Sequence, residues 1–160
     1  NLLTIIIPRH VHRTEKIMND MQKLNLKVHT HNSTKMMSPD TDIYLVNSYG
    51  KTKSFFKICK IVFLGGSMIK HGGQNPLEAV RYGCKILYGP NYWNFYEIYN
   101  LLNKYKVSNK VRNIKQLSDK VDLMIGKKNN YKKIKLKIKN LGNKILKSTL
   151  KEINFFIEKK

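Results

Sequence analysis

The chain has 160 residues and a formal net charge of +21, with 26% charged and 41% hydrophobic residues. That length buries one good core and is most simply a single domain, while the charge, with Lys far outnumbering Arg, points to anionic partners: nucleic acid, an acidic membrane surface or phosphorylated substrates. No apolar run approaches the roughly 18 residues of a membrane span and no signal peptide is visible, and two cysteines, Cys59 and Cys84, make neither a disulfide framework nor a metal cluster, so a reducing cytoplasmic setting is the default.

Lysine- and asparagine-heavy coding bias would load any solvated surface in the same way, so charge alone does not choose the partner. The chain opens Asn-Leu-Leu-Thr and enters a strand at once, as expected of a fragment of a longer polypeptide. Leu2 to Ile7 is a β-branched strand stopped by Pro8. Pro8, Arg9 and His10 therefore fall at its carboxyl end, where open α/β sheets hold their ligands. Arg9 offers a planar fork suited to phosphate or carboxylate. His10 and His12 have no carboxylate or thiol partners at metal spacing and read as polar loop residues. Through residues 14 to 24, Ile17, Met18, Met21 and Leu24 recur at helical intervals and predict an amphipathic helix with an apolar core stripe.

Leu26 to His29 reads as a second strand, with His29 and His31 expected to be exposed. Ile43 to Val46 is the third, and it ends in the turn Asn47-Ser48-Tyr49-Gly50-Lys51. Lys51 to Lys60 predicts a helix with Phe55, Phe56 and Cys59 on its inner side. Ile61, Val62, Phe63 and Leu64 follow without polar alternation, which predicts a strand covered on both faces. It opens into a loop with two glycine pairs, Gly65-Gly66-Ser67 and Gly72-Gly73. Asn75 is a good N-cap, Pro76 fits the first helical position, and Glu78 lies where its carboxylate can reach back to the capping amide. The helix runs to about Tyr82, because Gly83 suits the left-handed position after a helix and Ile86, Leu87 and Tyr88 form the next strand.

Glycines let a backbone approach a ligand closely, and the N–H groups of a helix start favour a phosphate or carboxylate. The simpler use of Gly65, Gly66, Asn75 and Glu78 is a tight turn and a helix cap. Two glycine pairs in one loop tilt the reading towards a nucleotide or sugar-phosphate site.

Strands alternating with helices predict a doubly wound parallel sheet with right-handed crossovers, its loops after strands one, three and four on one edge. Gly-x-Gly-x-x-Gly is missing after the first strand and no Gly-x-x-x-x-Gly-Lys-Ser/Thr occurs, which excludes the dinucleotide fingerprint and the phosphate-binding P-loop. Further on, Asn94 to Lys106 predicts a helix with Phe95, Ile98, Leu101 and Leu102 inward and Trp93 packed at its start. Leu117, Val121, Leu123 and Met124 predict another. From Tyr131, Ile134, Ile138, Leu141, Ile145, Ile153 and Ile157 recur at helical spacing among many lysines, with Gly142 as a break.

Four segments together, Ile-Pro-Arg-His, Asn-Ser-Tyr-Gly, Val-Phe-Leu-Gly-Gly-Ser with Gly-Gly-Gln-Asn-Pro-Leu-Glu-Ala, and Leu-Tyr-Gly-Pro-Asn-Tyr-Trp-Asn-Phe, resemble the carboxyl-terminal half of the 3-deoxy-D-manno-oct-2-ulosonic acid (Kdo) transferases of lipid A biosynthesis. The resemblance covers most of residues 2 to 100 in order. It implies the α/β fold of a Rossmann-like, doubly wound parallel sheet, the C-terminal half of a GT-B glycosyltransferase. Residues 1–130 would form the donor domain and 131–160 a basic amphipathic terminal helix, with the acceptor domain and the catalytic carboxylate in a preceding domain absent from this chain. No catalytic residue, metal or cofactor is then expected here, cytidine monophosphate-linked Kdo (CMP-Kdo) being the donor substrate. By motif, Pro8, Arg9, Tyr49, Gly50, Lys51, Asn75, Pro76, Leu77 and Glu78 would contact the cytidylate, Glu78 through ribose hydroxyls, with Gly65, Gly66, Ser67, Gly72 and Gly73 in support.

The chain departs from the family pattern in three places. Lys51 stands where the family carries Glu, which reverses the charge. Gln74 replaces a His and keeps hydrogen bonding without titration, and Lys60 replaces an Asp. The implied partners are CMP-Kdo, a lipid A precursor held by the missing domain, and an anionic membrane surface. The implied location is peripheral, on the cytoplasmic face of a bacterial inner membrane. The terminal helix would pack across the domain junction or lie on that membrane. A nucleic-acid-binding module is the alternative suggested by charge, although the basic residues are spread along the chain and no recognition signature accompanies them. A nucleotide-sugar epimerase of related architecture is a third reading, to be decided by sequence upstream of residue 1.

Overall fold

The computed structural model describes residues 2–126 and 131–158, Tyr131 through its backbone only. The chain divides into two compact units, Asn1–Phe55 and Phe56–Lys160. An α/β architecture with parallel strands is found, as expected. The six strands among the described residues form two three-stranded sheets.

In the first unit β1 (Thr4–Ile6), α1 (Thr14–Lys23), β2 (Val28–Thr30) and β3 (Ile43–Leu45) follow one another, with a single 3-10 turn at Val11–Arg13 leading into α1. The sheet order is β1-β3-β2, and Ile6 and Thr30 both lie level with Leu45. Leu45 and Val46 are buried because β3 has a strand on each side, and β-branched and aliphatic side chains cover its faces. Ile17, Met18 and Met21 of α1 are half-buried, whereas Leu24, at its C-cap, is exposed. His29 and His31 are not simply solvated. The His29 ring stacks on Tyr44, and His31 Nδ1 lies 2.9 Å from Tyr44 Oη.

The helix α2 (Thr52–Ile58) spans the division, Phe55 lying against Tyr44 of the first unit and Phe56 against Tyr82 of the second. Next come β4 (Ile61–Leu64), α3 (Leu77–Arg81), β5 (Lys85–Tyr88), a 3-10 turn at Trp93–Phe95, α4 (Tyr96–Lys104), β6 (Ser108–Lys110), α5 (Ile114–Ile125) and α6 (Tyr131–Glu158). Here the sheet order is β4-β5-β6. β4 was expected to be covered on both faces, but it forms an edge of this sheet and Phe63 is 37% exposed. The fully covered strand is β5, whose Ile86, Leu87 and Tyr88 have no accessible surface because strands flank it on both sides.

β6 was not anticipated, since Ser-Asn-Lys has no apolar alternation. Hydrogen bonding to β5 and the buried flanks Val107 and Val111 hold it in place. Tyr99, also missed as a core residue, stacks on Tyr88 with ring centroids 4.1 Å apart. Trp93, expected to pack, is mostly exposed. Burial beside Phe56 and Cys59 pushes the Cys84 thiol up to about 12.

α3 ends as its residues dictate but starts one residue later than expected, with Pro76 rather than Asn75 as its N-cap and no side-chain cap on it. The Asn75 side chain accepts from Leu77 N at 3.0 Å, and Pro76 needs no donor there. At the other end Gly83 adopts φ 88°, its N–H donates to Val80 O and the Cys84 N–H donates to Ala79 O, a Schellman closure. α6 runs unbroken through Gly142, where a break was expected; no side chain competes for the glycine's backbone and no terminator follows. Among the described side chains of α6, only Ile134 and Ile138 enter the core, on the helix that packs with α3. The proposed boundary after residue 130, like the last two residues of the chain, lies outside the described residues.

Candidate functional site

Because β1 and β3 run parallel with Ile6 level with Leu45, the segments that follow them leave the same edge of the first sheet. Pro8 is half-buried and Arg9 exposed at the end of β1. Beside them Tyr49, 70% exposed, accepts a long hydrogen bond from Val11 N at 3.4 Å, which ties the two loops together. Gly50 turns the chain with φ 76° and has nothing within 4 Å of where a Cβ would sit. Lys51 then caps α2 with its carbonyl, which accepts from Ser54 N at 3.0 Å. A lysine at a helix start places a cation where the backbone N–H groups already concentrate positive charge. Among the described residues no acid pairs with Arg9 or Lys51. Arg9, the Lys51 ammonium and the start of α2 thus make one edge of this unit strongly receptive to an anion. Ser48 Oγ, buried beside them, lacks a hydrogen-bond partner among the described residues. Its place in the Asn47–Lys51 turn was the only sequence signal for it.

The glycine loop of the second unit is built differently from expectation. Ser67, fully buried, donates from Oγ to Leu64 O at 2.6 Å and accepts from Gly89 N at 2.8 Å. Its carbonyl accepts from Asn91 N at 2.9 Å. Ser67 therefore clamps the loop after β4 onto the loop after β5. Gly72 and Gly73 are buried beneath the second loop: a Cβ on Gly72 would lie 2.2 Å from Asn94 Nδ2, and one on Gly73 3.3 Å from Asn91 O. These glycines serve loop-on-loop packing in the present structure. Gly66, with φ 73° and its carbonyl accepting from Gly73 N, closes the turn. Gly65 alone of the five supporting residues has open space where a Cβ would sit and is not buried against the neighbouring loop.

The Tyr99 hydroxyl reaches up from α4 and donates to Gln74 O at 2.9 Å, holding the segment that leads into α3. Pro76 is buried, Leu77 half-buried, and Asn75 and Glu78 point outward. α3 has only five residues, so the dipole contribution expected at its start is small, and what remains is the exposed Asn75 and Glu78 side chains. Sequence reasoning missed Gly89, Asn91 and Tyr99 as the supports of this segment. They stand 22 to 25 positions from their partners, and the Gly-Pro-Asn run marked only Gly89 and Asn91.

The nine residues assigned to donor contact thus sit in two groups. Pro8, Arg9, Tyr49, Gly50 and Lys51 lie together at the carboxyl edge of the first sheet, and Asn75, Pro76, Leu77 and Glu78 follow β4 in the second unit.

Parallel α/β units with loops gathered after their strands define a Rossmann-like α/β protein. Within that class the chain is similar to the 3-deoxy-D-manno-octulosonic acid transferases. It is 31% identical to the one from Haemophilus influenzae over 102 residues, covering 64% of this chain and 24% of that protein. With the one from Rickettsia felis it shares 28% identity over 158 residues, 96% of this chain and 34% of that protein. The C-terminal CMP-Kdo binding domain of WaaA from Acinetobacter baumannii has the same fold, with a TM-score of 0.79 at 24% identity over 87% of this chain and 72% of that one. No family model matches. The chain spans about a quarter to a third of the length of these curated relatives.

Proposed function

We propose that this chain is the donor-binding half of a Kdo transferase, holding CMP-Kdo while the sugar passes to a lipid A precursor carried by a further, amino-terminal domain in lipopolysaccharide biosynthesis. The observation that carries this reading is similarity along 96% of the chain to a named Kdo transferase, joined to exposed Arg9, Asn75 and Glu78 after the strands that precede them. Arg9 and the N–H groups around Lys51 supply positive charge for the nucleotide phosphate. As the bond from Kdo to phosphate breaks, that charge offsets the negative charge gathering on the departing cytidylate. Glu78 accepts hydrogen bonds from ribose hydroxyls, with Asn75 and Pro76 fixing where its helix starts. No residue of this chain is assigned the role of base, and no cofactor is required by the reaction. An enzyme with a lipid acceptor works at a membrane surface, and the cytoplasmic face of the bacterial inner membrane is the proposed location. No helix among the described residues is long and apolar enough to cross a membrane.

Calorimetric titration of the 160-residue chain with cytidine monophosphate tests the reading. Arg9→Ala and Glu78→Ala should each weaken binding about tenfold, the loss of one hydrogen bond to a charged group. Affinity unchanged by both substitutions, or salt-sensitive oligonucleotide binding in place of nucleotide binding, would overturn it. The nucleic-acid reading gains no support from the relatives.

A further inference from the structure

Among the described residues one buried side-chain polar atom, Ser48 Oγ, has no hydrogen-bond partner. Hydroxyls elsewhere in the chain are engaged: Ser67 donates to Leu64 O, Ser108 to Asn103 Oδ1 and Ser38 to Asp40. Its neighbours in the same turn are engaged too, the Asn47 side chain accepting from Asn32 N at 3.1 Å and Tyr49 Oη from Val11 N at 3.4 Å. A hydroxyl held out of water with nothing to donate to costs stability, and such a group calls for a use. Binding is one.

Position selects the ligand. Ile6 and Leu45 share a rung of the first sheet, so Arg9 and Ser48 each stand three residues beyond it, at the same carboxyl edge. Lys51 follows in the same turn, and among the described residues neither cation has an acid partner. A hydroxyl with a proton to give, beside two such cations, suits a group that is negatively charged and only accepts hydrogen bonds. That is a phosphate, not a base or a ribose hydroxyl, both of which also donate. The Ser48 side chain is free to turn towards it: no hydrogen bond is broken when χ1 moves Oγ to another staggered position. Gly50, two residues on, leaves open space where a side chain would stand. We propose that Ser48 is a further nucleotide-binding residue, its hydroxyl donating to the phosphate of the bound cytidylate. The assignment rests on the donor reading above and adds a phosphate contact to it.

Thermal melting and calorimetric titration of the 160-residue chain and of its Ser48→Ala variant read stability and binding separately. Removing an unpaired buried hydroxyl should raise the melting temperature of the free chain, by about 3 °C. Removing a phosphate contact should at the same time weaken cytidine monophosphate binding about tenfold. Cytidine, which lacks the phosphate, should bind the starting chain more weakly than the monophosphate and should bind the variant no more weakly still. Opposite signs for stability and affinity are the signature, because a hydroxyl that merely supports the turn would lose both together. A lower melting temperature for Ser48→Ala, an equal loss for cytidine and its monophosphate, or unchanged monophosphate affinity would each overturn the assignment while leaving the donor reading standing. Failure of the starting chain to bind cytidine monophosphate would overturn both.

Discussion

Glycines in the second unit divide by what stands where a side chain would be. Gly89 faces backbone: a Cβ there would lie 2.3 Å from Ser67 O and 2.7 Å from Met68 N. Backbone cannot swing aside as a side-chain tip can, so Gly89→Ala must part the two loops that Ser67 clamps. A loss of about 3 kcal/mol in chemical denaturation is expected, against less than about 0.5 kcal/mol for Gly65→Ala, which meets open space. Asn75, Pro76 and Glu78 could be placed from neighbouring residues because capping and proline geometry act within a few positions. The partnership of Ser67 with Gly89, and of Tyr99 with Gln74, could not be, because it depends on two loops meeting over β5. Gly72 and Gly73, expected as supporting residues of the site, pack closely against Asn94 and Asn91 of the loop after β5.

Elements differ in how strongly their own residues define them. α3 is bracketed by Asn75-Pro76 and Gly83; its end fell where Gly83 places it, and its start one residue later than Asn75 predicted. β4 and β5 are similar apolar runs, and nothing within either says which is central; the order β4-β5-β6 decides that β5 is the buried one. β6 is invisible as a strand because its pairing comes from a neighbour rather than from its own pattern. In α6 the glycine signal was overridden by the helical residues on either side. Gly142→Ala should accordingly stabilise α6 by about 1 kcal/mol and raise its helicity by circular dichroism. An unchanged or lower melting temperature would mean that the glycine conformation is needed there.

For the whole molecule, covering about a third of the Rickettsia felis relative has a functional consequence. On the proposed reading this chain supplies the donor-side residues, and the base is expected from the part of such a transferase that the chain does not span. Nucleotide binding without transfer is therefore the expected behaviour, and an assay of Kdo transfer to a lipid A precursor by the isolated 160 residues should show no product. The positive charge of +21 does not decide the function at this scale.

By itself the sequence determined the α/β class, the order of most elements, the end of α3 and the loops in which Arg9, Lys51, Asn75 and Glu78 fall, because each depends on periodicity or on contacts a few residues long. Only the tertiary structure decided that the strands form two three-stranded sheets, that β5 rather than β4 is the covered strand, that Gly72 and Gly73 are spent on packing, and that the far half of α6 stands bare. These follow from which segments meet across long stretches of chain, where burial is set by neighbours in space and leaves no mark in the local pattern.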